Sequence, residues 1–261
     1  MPISAQASPE ATSFPGLLDQ AGEIALFLDF DGVIAELAPT PDAVAVAPSM
    51  LSRLQSLQSA LGGAVAIVSG RDIATLDSLL APLSLAVAGD HGNVRRRGDG
   101  ELLTLNHRAG PAAAALYEEL SALFAGDPRI VVERKPSAVA LHFRLAPERA
   151  EECILAVMTA AESFPELTPI SGKMVVEARA EGVSKGAAVL GFMSEAPFAG
   201  RTPIFLGDDV TDEDGFAAVQ AIGGAGIKVG EGDTAARFRI GSTRDVPAIL
   251  DAVIRRYGWG N

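Results

Sequence analysis

The sequence has one cysteine in 261 residues, three histidines and fewer positive than negative charges. One cysteine cannot build a disulfide framework or a thiolate-rich metal site, and no His or Cys cluster points to zinc. Cys153 sits in "AEECILAVM", apolar at helical spacing and with no histidine near it in sequence, which fits a buried structural thiol better than a nucleophile. Lys and Arg number 21 against 33 Asp and Glu, a net charge of −12. That balance argues against a nucleic-acid partner, because phosphate backbones select basic surfaces. It still permits a small phosphate ester, given a bound cation and a few well-placed Lys or Arg residues. No apolar run approaches the ~20 residues that cross a bilayer, so no membrane association is expected. The opening "MPISAQASPEATSFPG" has neither a basic nor an apolar signal-peptide region. Residues 1–14 read as a flexible leader and the chain as cytoplasmic.

What the sequence does have is a 48% apolar content, organised as short buried runs alternating with helical patterns. The runs "EIALFLDFDG" (23–32), "AVAIVSGRD" (64–72), "LSLAVAGDHG" (83–92), "TPIFLGDDV" (202–210) and "GAGIKVG" (224–230) read as strands. Helical patterns separate or follow them at 48–63, 72–82, 212–223 and 245–258. Continuous apolar strands alternating with helices predict a Rossmann-like α/β architecture with a parallel sheet covered on both faces. The middle differs, with a helix at 110–126, strands "RIVVERK" and "AVALHFRL", a helix at 146–164 and a strand pair over 167–180 turned at Ser171-Gly172. That order predicts an inserted α+β module with an antiparallel sheet over 106–180, between core segments 15–105 and 181–261.

Each parallel strand ends in polar residues: Asp29-Phe30-Asp31-Gly32, Ser69-Gly70-Arg71-Asp72, Asp90-His91-Gly92 and Gly207-Asp208-Asp209. One such ending is an ordinary turn or helix cap, and "GDDVTDED" alone could be a solvated acidic turn. Together they fall on one rim, outside the carboxyl ends of the strands, where open parallel sheets bind ligands. Carboxylates gathered there without a cation would repel one another. An oxygen-only donor set suits a hard divalent ion, and Mg²⁺ usually takes one or two carboxylates plus substrate phosphate. One carboxylate could then attack phosphorus while its neighbour protonates the leaving oxygen and activates water. Ser69 and nearby backbone N–H groups would hold phosphoryl oxygens. Lys185, which follows the cap-like Ser184 in "EGVSKGAAVLGF", would add a point charge, unless it is simply a surface lysine.

This ordered set, D-x-D-G at 29–32, Ser69, Lys185 and G-D-D-x-x-D at 207–212, resembles the haloacid-dehalogenase (HAD) superfamily of phosphatases. The resemblance implies Asp29 as nucleophile, Asp31 as acid/base, and Mg²⁺ bound by Asp29, the Asp31 carbonyl and Asp208 with Asp212 in support. It makes the 106–180 insertion a cap over the site. A narrower likeness is to the trehalose-6-phosphate phosphatases, carried by "DFDGVIAELAPTPDAV", "IVSGRD", "GDHG", "VERKPSAVALHFR", "GKMVVEARAEGVSKGAAV" and "FLGDDVTDED". It implies a substrate-binding set of Gly70, Arg71, His91, Glu133, Lys135, His142, Arg144, Lys173, Glu177 and Arg179. Paired cations and carboxylates of this kind can grip several sugar hydroxyls, or form plain cross-strand salt bridges. His107 is expected to be structural or exposed. Two positions depart from the family pattern: Val33 stands where it usually has Thr, and Val94 where "HGxE" has Glu.

The reading implied is hydrolysis of trehalose 6-phosphate to trehalose and phosphate through an aspartyl-phosphate, in functional pairing with a trehalose-phosphate synthase. Two alternatives stay open. One is a phosphatase for another sugar phosphate, sucrose 6-phosphate or mannosyl-3-phosphoglycerate. The other is a non-catalytic sugar-phosphate-binding regulatory module.

Overall fold

A computed structural model describes residues 14–37, 43–97, 100–172 and 174–258 of the chain. The first half runs α1 (Phe14–Gln20), β1 (Ile24–Leu28), α2 (Pro48–Ala60), β2 (Val65–Val68), α3 (Ile73–Leu80), β3 (Ala86–Gly89), β4 (Val94–Arg96) and β5 (Leu102–Thr104). The middle comprises α4 (Ala109–Phe124), β6 (Val131–Arg134), β7 (Ala138–His142), α5 (Ala150–Ala161), β8 (Leu167–Gly172) and β9 (Val175–Ala180). The chain then continues through α6 (Lys185–Met193), β10 (Thr202–Gly207), α7 (Glu213–Ala221), β11 (Ala225–Val229), β12 (Phe238–Ile240) and α8 (Val246–Tyr257).

The larger sheet has the order β12-β11-β10-β1-β2-β3-β4-β5. Its first six strands are parallel and the last two antiparallel. All five residues of β1 are buried, because "IALFL" has a strand on each side and helices over both faces. From β1 the chain winds outward to β2 and β3 on one side, while β10 and β11 lie on the other. The carboxyl ends of β1 and β10 therefore flank the switch point where ligands collect. Local capping is clear: Asp72 accepts from Thr75 N (2.8 Å) at the start of α3, and Ser184 from Ala187 N (3.0 Å) at the start of α6. Among the described residues no helix is long and apolar enough to cross a membrane.

The smaller sheet, β6-β7-β9-β8, is antiparallel throughout. One face packs on α4 and α5 through Leu116, Leu120, Val139, Leu141, Val157 and Val176, and buries Cys153 among them. The period of two along β9 buries Val176, Ala178 and Ala180 and turns Glu177 and Arg179 to the opposite face. Ala140 of β7 stands in register between Glu133 and Glu177 on that opposite face.

Several sequence expectations need correction. Ser171 and Gly172 do not form the turn: they pair with Val176 and Val175, so β8 runs through them. The reversal falls next to Met174, whose φ of 61° supplies the left-handed conformation a tight turn needs. Of the expected leader only Phe14 is described, and it is helical and buried, edge-on to Phe238. The β4–β5 hairpin carries little sequence signal because its strands are three residues long and two of the three residues in β4 are arginines. Arg95 is nevertheless buried, its guanidinium 4.7 Å from the Phe192 ring centroid and paired with Glu195.

Candidate active site

β1 stops at Leu28, and Asp29 makes one last ladder bond, its N–H donating to Leu206 O at 2.9 Å. Had the strand continued, Asp29 and Asp31 would share a face. Instead the chain turns: Ala35 N donates to Phe30 O (3.0 Å) and Gly32 N to Ala35 O (2.8 Å), and the two carboxylates part. Asp29 is buried against Lys185, while Asp31 is held by both arms of Arg71, Nε to Oδ2 at 2.7 Å and Nη2 to Oδ1 at 2.8 Å.

Lys185 is the hub. Its Nζ lies 2.8 Å from Asp29 Oδ1 and 2.6 Å from Asp212 Oδ1, and the lysine is 3% exposed. Asp212 is fully buried, and its other oxygen accepts from the backbone N–H groups of Asp208 and Asp209, both at 2.9 Å. It supports the site by orienting Lys185 and the turn that carries Asp208. Burial pushes the Asp29 carboxyl up from its ordinary pKa; Lys185 pulls it down and Asp212 pushes it up again. Burial, followed by the like charges of Asp212 and Asp209, pushes Asp208 up to about 6.

Asp29, Asp208 and Asp212 offer oxygens that all lie within 4.8 Å of one another. Even with the Lys185 ammonium between them and Lys228 on the Asp208 carbonyl, three carboxylates leave an excess of negative charge, and the donors are all hard oxygens, so the cluster fits a divalent cation such as Mg²⁺. Gly32 makes the approach possible. A Cβ there would stand 1.9 Å from Asp208 Oδ2, and its φ of +75° is one few side chains adopt. Gly32→Ala is accordingly expected to push the Asp208 carboxylate out of the cluster and to abolish the rise in thermal midpoint expected of the parent on adding Mg²⁺; a rise in the variant equal to the parent's would refute this account of Gly32.

A cavity of about 330 Å³ opens on this cluster, lined by Asp29, Asp31, Ser69, Gly70, His91, Lys185 and Asp208, together with Leu37, Asp209 and Thr211. Ser69, just beyond β2, is 1% exposed, and its Oγ accepts from Arg71 N at 3.2 Å. Gly70 leaves room for the His91 ring, which a Cβ would meet at 2.6 Å. Asp90, His91 and Gly92 all have positive φ (54°, 55° and 102°), a strained run at the end of β3. Both ring nitrogens of His91 are buried without a hydrogen-bond partner. Burial drives this imidazole down to about 4, Lys135 and Lys185 adding to the effect and Glu177 opposing it. At neutral pH it is therefore uncharged, one nitrogen donating and the other accepting.

The smaller sheet reaches His91 at the edge of this cavity, although none of its described residues lines the cavity itself. Glu177 Oε1 lies 2.7 Å from Lys135 Nζ and 3.8 Å from His91 Nε2. Burial works against the Glu177 charge, but Lys135 and the other nearby cations hold its carboxyl below the usual range. Arg179 reaches Asp214 on α7 at 3.4 Å. Ser137 and Asp90, both buried, form a hydrogen bond from hydroxyl to carboxylate between the two sheets. Glu133 and His142 pair with each other at 2.8 Å and do not line the cavity. Arg144 is exposed beyond β7, His107 is exposed, and Lys173 lies outside the described residues. Val33 is buried in the core and Val94 is half-buried in the β4 ladder, so neither departure from the family pattern lines the cavity.

Lys228 was missed from sequence: it is 4% exposed on β11, and its Nζ donates to the Asp208 carbonyl. A lone lysine inside the apolar "GAGIKVG" was the available signal. Thr243, whose Oγ1 donates to Gly32 O at 2.6 Å, carried none.

A buried Asp–Lys–Asp cluster at the switch point of a parallel sheet is the arrangement the resemblance to haloacid-dehalogenase phosphatases implies. The trehalose-phosphatase family profile matches residues 27–242. The trehalose-6-phosphate phosphatase of Escherichia coli strain K12 is 40% identical over 233 residues, covering 89% of this chain and 87% of its own. A probable trehalose-phosphate phosphatase of Sinorhizobium fredii is 44% identical over 209 residues, covering 79% and 77%. The crystal structure of a trehalose-6-phosphate phosphatase related protein superposes with a TM-score of 0.72 at 27% identity, covering 89% of this chain and 97% of that one. The chain belongs to the trehalose-phosphatase family.

Proposed function

We propose that this enzyme is a Mg²⁺-dependent phosphatase that releases phosphate from trehalose 6-phosphate, and that the smaller sheet is its cap. The observation that carries the chemistry is Lys185 placed between Asp29 and Asp212, with Asp208 beside them at the floor of the cavity. An Asp29 carboxylate oxygen attacks phosphorus, the bond from phosphorus to the sugar oxygen breaks, and Asp31 gives its proton to that leaving oxygen. Asp31 then takes a proton from water, whose oxygen attacks the aspartyl-phosphate; inorganic phosphate leaves and Asp29 is restored. Lys185, Ser69 and neighbouring backbone N–H groups hold the phosphoryl oxygens. When bound, through Asp29, the Asp31 carbonyl and Asp208, Mg²⁺ supplies charge neutralisation on the transferring group.

Arg71 adds a condition. Its two-armed grip occupies both oxygens of the Asp31 carboxylate. A substrate phosphate is an alternative partner for the same guanidinium, so binding frees Asp31 when it is needed. Around the sugar, the unpartnered His91 ring and the Lys135–Glu177 pair offer donors and acceptors for hydroxyls. Functional pairing with an enzyme that makes the phosphorylated sugar follows from this reading.

Trehalose 6-phosphate, sucrose 6-phosphate and mannosyl-3-phosphoglycerate, each assayed with and without Mg²⁺, test the assignment. Trehalose 6-phosphate is expected to be turned over fastest, and only with the metal. Equal rates on all three would defeat the specific reading; no phosphate from any would favour a binding module.

The titration of Asp208 gives a further expectation. A carboxyl raised on folding binds its proton more tightly in the native state. In metal-free protein its contribution to stability is therefore largest at low pH and is lost as pH rises through about 6. Mg²⁺ must displace that proton below this value and meets a free carboxylate above it. The rise in thermal midpoint on adding Mg²⁺ should be larger at pH 7.5 than at pH 5, and a rise independent of pH would contradict the assignment of Asp208.

A further inference from the structure

Lys228 and Thr243 lie outside every motif that carries the chemistry, and Thr243 falls one residue beyond the stretch matched by the family profile. Neither lines the cavity. Each nevertheless gives its hydrogen bond to a backbone carbonyl in one of the two acidic loops: Lys228 Nζ to Asp208 O, and Thr243 Oγ1 to Gly32 O at 2.6 Å. These two loops are in direct contact, since only the missing Cβ of Gly32 lets Asp208 Oδ2 lie where it does.

The ordinary explanations for both residues are already taken. Capping of the 3₁₀ turn at Thr243–Asp245 is done by Ser242 and Asp245, which bond reciprocally, so the Thr243 hydroxyl is not needed there. Lys228 stands in a strand whose other four residues are buried and apolar, where a Val or Ile would pack without the burden of a buried ammonium. Both side chains come from the segment that runs from β11 to the start of α8, and together they tie the loop after β1 to the loop after β10. A cation's affinity depends on how closely its oxygen donors are held to the required spacing, and partners that orient the ligands matter nearly as much as the ligands.

We propose that Lys228 and Thr243 are positioning residues for the cation site, fixing the spacing between the Asp29–Gly32 loop and the Asp208 carboxylate. The inference rests on the reading of that cluster as a Mg²⁺ site. It is tested by titrating Mg²⁺ into the metal-free protein calorimetrically, with no substrate present, for the parent, Lys228→Met, Thr243→Val and Thr243→Ser. Lys228→Met and Thr243→Val are each expected to weaken Mg²⁺ binding about tenfold. Thr243→Ser, which keeps the donor, is expected to bind like the parent. The electrostatic effect of Lys228 has the opposite sign, because removing a cation near the site would tighten binding. Tighter binding by Lys228→Met, or equal affinity in Thr243→Val and Thr243→Ser, would overturn the proposal. The two Thr243 variants decide the matter if Lys228→Met does not fold. Asp208→Asn separates the two levels: Mg²⁺ binding that survives it unchanged would overturn the cation-site reading itself, and the positioning roles with it.

Discussion

In the Asp29→Asn protein, phosphate release from trehalose 6-phosphate is expected to fall on the order of 10⁴-fold or more, the scale on which removing a nucleophile acts in a covalent mechanism. An amide has no anionic oxygen to attack phosphorus, and it is a poorer cation ligand. The variant should nevertheless fold. Asp29 is 4% exposed, and burial already raises its carboxyl, so replacing a buried charge with a neutral group of the same shape relieves a desolvation penalty. Lys185 keeps Asp212 as its partner at 2.6 Å. In metal-free buffer the thermal midpoint should therefore equal or exceed that of the parent, which separates lost chemistry from lost structure. Phosphate released at the parental rate would overturn the aspartyl-phosphate mechanism. Sugar-phosphate binding retained with no turnover in the parent would instead identify a regulatory module.

The architecture was legible where one physical signal dominated. "IALFL" is a run that only a strand covered on both faces would bury, and the polar residues that end it mark the ligand rim. That Asp29, Ser69, Lys185 and Asp208 meet could be read because each terminates or begins an element, so their meeting follows from topology. The pairing within that set could not be read. Nothing in the spacing indicates that Asp31 is held by Arg71, or that Asp212 spends one oxygen on Lys185 and the other on two backbone amides. Such contacts depend on loop geometry beyond the strand ends, where period-two reasoning stops. The set expected to bind sugar on the smaller sheet was legible as a charged face, not as a site. The structure brings Glu177 and Lys135 to His91 but pairs Glu133 with His142 away from the cavity, the cross-strand salt bridge that was the plainer reading. Lys228 and Thr243 act on carbonyl groups, and a backbone acceptor leaves no trace in residue identity.

Lys185→Met tests how far the buried cation holds the site together. Methionine matches the lysine's length and keeps the helix, since both are good helix formers. What disappears is the one ammonium between Asp29 and Asp212, whose side chains are 6% and 0% exposed. Breaking a buried pair by deleting one partner costs about 3–5 kcal/mol, because the remaining charge has neither water nor a counter-ion. Here two carboxylates are stranded, with Asp208 close by. A loss of this size lowers the thermal midpoint of a domain this large by on the order of 10 °C. The sign of the pH dependence identifies the cause. The burial and like-charge repulsion that raise Asp29 act unopposed in the variant, so its carboxyls hold their protons more tightly folded than unfolded. Stability relative to the parent should then recover as pH falls and worsen as it rises. Mg²⁺ should restore part of the deficit at neutral pH by replacing the missing charge. Turnover should stay low even then, by about 10²–10³-fold, because a donor aimed at the transferring phosphoryl oxygens is gone. A metal-free Lys185→Met protein that melts with the parent at neutral pH would mean that Lys185 is not the counter-ion of this cluster, and the charge balance argued for the site would fall with it.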